Sequence, residues 1–325
     1  MAVYFSPLVA FLVAVAVSKA LLASRLSKSI SDVPNERSLH AMPIPRVGGV
    51  GLMAGALAGW LWMAGLPDWR VSVPLLLLFG VSMFDDARGM SVRVRLLAHM
   101  AAAAILVAGA GMHWALGIAV VLLVVWMTNL YNFMDGSDGL AGGMALFGFG
   151  WYGVAALAQG AESFALVNLA LSAAALGFLL FNFHPARMFM GDAGSIPLGF
   201  LAAALGLLGW QEGLWPAWYP PLVFSPFVVD ASVTLFKRLL RGEKLSQAHR
   251  SHYYQRLVQM GWGHRNTALA EYLLMFTAGA CGLWSLGQGA VVQLAVLLLW
   301  LLVYSGLMVW LDACWKRFMG SKLND

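Results

Sequence analysis

Five short stretches carry side chains whose types and spacing suit phosphate and metal chemistry. "MFDDARGMSVRVRL" sets Asp85 beside Asp86, with Arg88, Arg93 and Arg95 behind them. Adjacent carboxylates repel unless a cation or a proton lies between them, so paired Asp followed by Arg suits a metal and a phosphate. "NLYNFMDGSDGL" spaces Asn129, Asn132, Asp135 and Asp138 three residues apart at the end of an apolar run. "FNFHPARMFMGDAGS" offers Asn182, His184, Phe189 and Asp192. Small residues around Asp192 let backbone N–H groups approach an anion at a helix start, and a base can stack on Phe189. The stretch has no Lys after its glycines and is not a P-loop. "AHRSHYYQRL" gathers His249, Arg250 and His252 within four residues. Imidazole with guanidinium suits phosphate, and no further His or Cys completes a zinc set at suitable spacing. "NERSLHAMPIPRVGG" adds Arg37, His40 and Arg46.

None of these stretches brings a soft ligand set. Asp clusters suit Mg²⁺, which binds through a few carboxylates plus substrate phosphates, with Mn²⁺ as the alternative ion. Arg and His suit the phosphates themselves. The residues alone therefore predict an enzyme that handles a phosphorylated substrate with Mg²⁺.

The elements that must hold these side chains are membrane helices. Of 325 residues 61% are hydrophobic and only 11% charged, with a mean hydropathy of +0.76. A soluble domain carries roughly a quarter charged residues. Apolar runs near the ~20-residue bilayer span recur along the chain. They predict an all-α, polytopic bundle forming one domain over 1–325. The expected spans are 3–24, 47–65, 71–84, 96–112, 114–132, 140–158, 162–181, 194–210, 219–238, 267–287 and 290–311. That makes eleven, or ten should the short third run fail to cross.

Alternate connections put 18 of the 20 Lys and Arg on one side, all but Lys19 and Arg70. That asymmetry predicts a multi-pass protein with an outside N-terminus and a cytoplasmic C-terminus. The net charge of +5 is then a topology signal, with no nucleic-acid partner implied. Eight of the fifteen Asp and Glu also fall in the cytoplasmic segments, several at helix ends. The first span is long and has no basic residue ahead of it, so it is expected to be retained rather than cleaved. Cys281 and Cys314 imply no disulfide. Asp230, two turns before Arg238, and Glu271 are expected to serve pairing or helix packing. The glycines of "GGVGLMAGALAGW" predict close helix contact.

In order, "RSLHAMPIPRVGG", "DDARGMSVRVRL", "NLYNFMDGSDGLAGG", "FNFHPARMFMGDAGS" and "HRSHYYQRL" resemble the motifs of the polyprenyl-phosphate N-acetylhexosamine-1-phosphate transferases, the glycosyltransferase 4 type. The resemblance runs from about Arg37 to Gly263. It implies transfer of a sugar 1-phosphate from a UDP-activated amino sugar to polyprenyl phosphate, with release of UMP and a need for Mg²⁺. Carried over by motif, Asp192 looks like the main metal ligand and Asn132 the second. Asp85, Asp86 and Asp135 are the catalytic candidates; Asp138 and Phe189 match positions that hold uracil, and Asp135 and Asn182 line the nucleotide site. Arg95 falls where phosphate is met, His249, Arg250 and His252 match the loop on pyrophosphate and sugar, and His40 and Arg46 join the substrate-binding set.

The resemblance leaves room for a homodimer. "HRSH" in place of a histidine run, and no Lys-rich insertion after the aspartate pair, point away from the muramyl-pentapeptide enzymes. They favour the branch that begins O-antigen and related glycans, with N-acetylglucosamine, N-acetylfucosamine or N-acetylquinovosamine as the sugar. The muramyl-pentapeptide reaction is the alternative. A transporter for an anionic metabolite is the rival of another class, although its charges would lie near the midplane of repeated halves.

Overall fold

Every apolar run read as a span is helical in the computed structural model, which describes residues 1–34, 39, 42–63, 65–108, 110–244, 247 and 249–322. The helices are α1 (Ser6–Ala23), α2 (Leu26–Ser29), α3 (Gly48–Trp62), α4 (Trp69–Arg88), α5 (Val92–Ala108), α6 (Trp114–Phe133) and α7 (Leu140–Ala158). There follow α8 (Glu162–Asn182), α9 (Asp192–Gln211), α10 (Tyr219–Val223), α11 (Ser225–Leu240), α12 (Tyr253–Leu257), α13 (Gly263–Leu286) and α14 (Ala290–Lys322). By length and composition α1, α6, α7, α8, α9, α14, and α13 with the turns ahead of it, can each cross a membrane. The protein is a polytopic helical membrane protein. The other expected spans lie on shorter helices (α3 and α5), on one with charges at both ends (α4), or on a broken one.

Several expected boundaries differ; α5, for one, begins and ends four residues ahead of the expected 96–112. The run 219–238 is two helices, because Pro226 opens α11 without an N–H to continue the ladder of α10. The last helix runs well beyond 311, to Lys322. Both cysteines are free, as expected.

Small residues set the tightest contacts. Ser6, Ala10, Ala14 and Ser18 of α1 are buried at four-residue intervals facing the glycines of α3. A Cβ at Gly55 would lie 2.5 Å from Ala10 O, so the expected close approach is present. α9 is buried along nearly its whole length against α3, α4, α6 and α7. Around it Tyr131, Phe149, Tyr152, Phe178, Phe200, Phe224 and Phe227 fill the core.

The chain entering α3 is fastened to the chain entering α9. β1 (Ser31–Asp32) pairs antiparallel with β2 (Ile44–Pro45). Phe189 N then donates to Pro45 O (2.8 Å), Gly48 N to Phe189 O (2.9 Å) and Gly49 N to Met190 O (2.8 Å). A Cβ on Gly49 would lie 2.5 Å from Gly194 Cα. This lacing carries Arg46 to the first turn of α9.

Candidate active site

The start of α9 organises the site. Asp86, near the end of α4, accepts the backbone N–H of Asp192 (3.1 Å) and of Ala193 (2.9 Å). It therefore caps α9 from another helix, where unpaired amides favour negative charge. Gly191 precedes α9 with φ +71°, and a Cβ there would lie 2.9 Å from both Arg46 O and Asp86 Oδ2. Only glycine fits.

Asp192 sits between two guanidinium groups. Arg95 Nη1 lies 3.3 Å from Oδ2 and Arg46 Nη2 lies 3.5 Å from Oδ1. The same two arginines reach Asp85 (3.1 Å, from Arg95) and Asp86 (3.4 Å, from Arg46). Asn132, in the last turn of α6, donates through Nδ2 to Asp192 Oδ1 (2.9 Å) and Ser195 Oγ (2.8 Å). Asp135, half-buried in the loop after α6, feels the charges of Arg46, Asp192 and Asp86.

Three carboxylates thus share two guanidinium groups, with the charges of Asp32 and Asp135 also acting on Arg46, so negative charge is in excess. The titration of the groups beyond the expected spans expresses that excess. Burial, then the charge of Asp192, pushes Asp86 up to about 6. Burial raises Asp85 against the pull of Arg95. Asp135 rises well above the ordinary carboxylate range, by burial first and then by its acidic neighbours.

Among the described residues no three His, Cys, Asp or Glu side chains form a ready metal cage. The oxygens of Asp86 are taken by α9 amides, and those of Asp85 by Met90 N and Arg95. A hard divalent cation completed by substrate phosphates needs no such cage and fits the charge excess. Asp192 and Asn132 fit as its protein ligands, provided the Asn132 amide turns its oxygen toward the ion.

Beside the cluster opens a cavity of about 320 Å³. Its lining mixes polar side chains, Arg95, Asn132, His249, His252 and Gln255, with apolar ones, Val92, Leu96, Phe133, Ile196 and Leu235. His252 is buried and its Nδ1 meets Asp230 Oδ1 at 3.1 Å. Asp230 also accepts the amides of Tyr253 (3.0 Å) and Tyr254 (2.9 Å) at the start of α12. Its expected pairing role holds, but toward His252 and not along its own helix toward Arg238. Burial, then His252 and Arg238, lowers His249 to about 4, so its ring is neutral near pH 7.

The remaining predicted residues divide. Asp138 leaves the cluster: its Oδ2 accepts from His184 Nδ1 (2.7 Å) and Ala186 N (3.1 Å), and His264 Nδ1 stands 3.8 Å from Oδ1. α6 ends at Phe133, and Asp138 lies in the loop beyond it, against His184 and His264. Asn182 is clamped at both ends of its amide, accepting from Gly139 N (3.0 Å) and donating to Met188 O (2.9 Å). The Phe189 ring is half-exposed beside its backbone lacing. Arg250 is exposed and does not line the cavity. His40 and Arg37 lie outside the described residues.

Sequence reasoning gave no role to His184 or His264, whose rings stack 5.6 Å apart over Asp138. His264 is 126 residues from Asp138, and nothing local to "GWGHR" signals the contact. Asn129 pairs with His99 at 3.2 Å within the bundle and lines the same cavity.

The profile described as Glycosyl transferase family 4 matches residues 69–209, from the start of α4 to near the end of α9. A probable undecaprenyl-phosphate N-acetylglucosaminyl 1-phosphate transferase of Bacillus subtilis is 30% identical over 266 residues, 75% of this chain and 74% of that protein. A decaprenyl-phosphate N-acetylglucosaminephosphotransferase of Mycobacterium tuberculosis is 28% identical over 305 residues, 78% of this chain and 74% of that one. A phospho-N-acetylmuramoyl-pentapeptide-transferase of Moorella thermoacetica is 35% identical over 180 residues, covering 54% of this chain and 55% of its own. By the family model and by this level of identity and coverage, the chain belongs to glycosyl transferase family 4 and is a membrane phospho-sugar transferase.

Proposed function

We propose that the protein transfers an N-acetylhexosamine 1-phosphate from a UDP-sugar to undecaprenyl phosphate on the cytoplasmic face of the bacterial inner membrane. The products are a lipid-linked pyrophosphoryl sugar and UMP. The observation that carries this reading is the Asp85–Asp86–Asp192–Arg46–Arg95 cluster beside a cavity lined by both polar and apolar side chains. A lipid phosphate needs both kinds of lining, and a pyrophosphate needs the two guanidinium groups.

In the reaction, an oxygen of the lipid phosphate forms a bond to the sugar-side phosphorus of UDP-sugar. The bond from that phosphorus to the bridging oxygen breaks, and the oxygen leaves with UMP. A phosphate monoester is largely dianionic near neutral pH, its second pKa being ~6, so no strong base is required. Arg95 and Arg46 hold the phosphates in line and offset charge as it moves to the leaving oxygen. Neutral His249, with His252 oriented by Asp230, presents ring nitrogens to pyrophosphate and sugar across the cavity. Mg²⁺ held by Asp192 and Asn132 would supply further neutralisation of the phosphates.

Two of the relatives are named for N-acetylglucosamine, which stands first among the sugars, before N-acetylfucosamine and N-acetylquinovosamine. The proposed role is the first step of O-antigen or a related surface polysaccharide. Purified protein given undecaprenyl phosphate, Mg²⁺ and a panel of UDP-sugars is expected to release UMP with an N-acetylhexosamine donor. Turnover confined to UDP-N-acetylmuramoyl-pentapeptide would assign it to peptidoglycan synthesis instead.

A further inference from the structure

The histidine loop is braced from an unexpected direction. α14 has 33 residues, about 50 Å at 1.5 Å per residue, against a hydrocarbon core of about 30 Å. Its excess length reaches α11 and α12. Leu311 packs with Tyr253 and Leu257 in a small apolar cluster of their own, with Val233, Met260 and Met308 against it. Asp312 follows that contact and is the one acidic residue between Ala290 and Lys322.

Asp312 holds both neighbouring elements at once. Its Oδ1 accepts from Arg256 Nη1 of α12 at 2.9 Å, and its Oδ2 pairs with Lys237 of α11. Lys237 Nζ also donates to Tyr253 Oη at 2.6 Å. The Arg256 side chain is only 6% exposed, and Asp312 is its carboxylate partner. Its guanidinium lies over the ring of Tyr253 (4.9 Å) and near that of Trp315 (5.7 Å). Arg256 Nε then donates to Ser251 O at 2.8 Å, and Ser251 Oγ meets His249 Nδ1 at 2.9 Å. A continuous set of contacts therefore runs from Asp312 through Arg256 to the backbone between the two cavity histidines.

We infer that Asp312 is a positioning residue for transfer, fixing through Arg256 and Lys237 the loop that presents His249 and His252 to the substrate phosphates. It touches no reacting atom. Removing its charge leaves a buried guanidinium without a counter-ion and frees the loop to shift. A 1 Å displacement is enough to lower turnover. The kinetic part of the inference rests on the transferase reading; the structural part does not.

The test uses the full chain in nanodiscs, as wild type, Asp312→Asn, Asp312→Glu, His252→Ala and the Asp312→Asn/His252→Ala double variant. UMP release, melting temperature and the rate of tryptic cleavage at exposed Arg250 are measured. Asp312→Asn is expected to lower kcat roughly ten-fold, and far less when His252 is already Ala, as for residues coupled in one network. Asp312→Glu should recover most of the loss, and cleavage at Arg250 should quicken several-fold in Asp312→Asn. Wild-type turnover and wild-type cleavage in Asp312→Asn would overturn the inference. So would losses that simply multiply in the double variant while the cleavage rate stays unchanged. Should no variant, including wild type, release UMP, the transferase reading fails and the cleavage rates alone decide whether the brace exists.

Discussion

At the scale of single residues, the aspartates that look alike in the sequence do different work. Asp86 gives both oxygens to the amides that open α9, while Asp192 faces two arginines and the Asn132 amide. Their asparagine variants should therefore separate. Asp192→Asn is expected to lower kcat by at least roughly a hundred-fold with little change in melting temperature. Asp86→Asn puts an NH₂ against a backbone N–H, so it should also cost about 1 kcal/mol of stability, the worth of a helix cap. UMP release and thermal melting on both variants check the contrast; equal melting losses would contradict it. Asp85, Asp86, Asn132 and Asp192 were legible because each lies in a short polar stretch at a helix end. The fate of Asp138 was not: His184 and His264, 46 and 126 residues away, take it up.

At the scale of elements, glycine on α3 and α9 decides where Asp192 stands. Gly49→Ala would place a methyl 2.5 Å from Gly194 Cα, in the first turn of α9. It is expected to cost about 1–3 kcal/mol by overpacking and to reduce turnover sharply by moving Asp192. Gly80→Ala on α4, where nothing lies within 4 Å, should leave turnover intact. Melting and activity of the pair read this out, and a fully active Gly49→Ala protein would show that the α3–α9 lacing does not hold the site. Helix positions were legible because an apolar run must satisfy its backbone internally in lipid. The break at Phe224 left its mark as Pro220, Pro221 and Pro226, set inside a run that hydropathy alone reads as continuous. The reach of α14 past 311 was hidden because "LDACWKRF" is no longer apolar; the helix continues there through packing of Leu311 and pairing of Asp312.

At the scale of the whole molecule, helices that end or begin at the site gather its polar segments at one end of the bundle. From the Lys and Arg asymmetry we propose that this end faces the cytoplasm. Cys314, half-buried on α14 beyond the expected span, is a native probe of it. In a Cys281→Ser background, a membrane-impermeant maleimide should spare Cys314 in intact spheroplasts and label it in inverted vesicles. Labelling in intact cells alone would reverse the orientation. The family model and the motifs both centre on the region from α4 to α9, and there the sequence was most informative. The charge excess, by contrast, exists only once the Asp85–Asp86 pair meets Asp192, Arg46 and Arg95.

The central claim is that a phosphoryl group moves together with the sugar. It is tested by a UDP-N-acetylhexosamine carrying one label on the sugar and another on the sugar-side phosphate, with undecaprenyl phosphate as acceptor. Both labels are expected in the lipid fraction in equal amounts, with unlabelled UMP in solution and no transfer after chelation of divalent metal. Sugar label in the lipid with the phosphate label left in soluble UDP would contradict the account and make the protein an ordinary glycosyl donor enzyme.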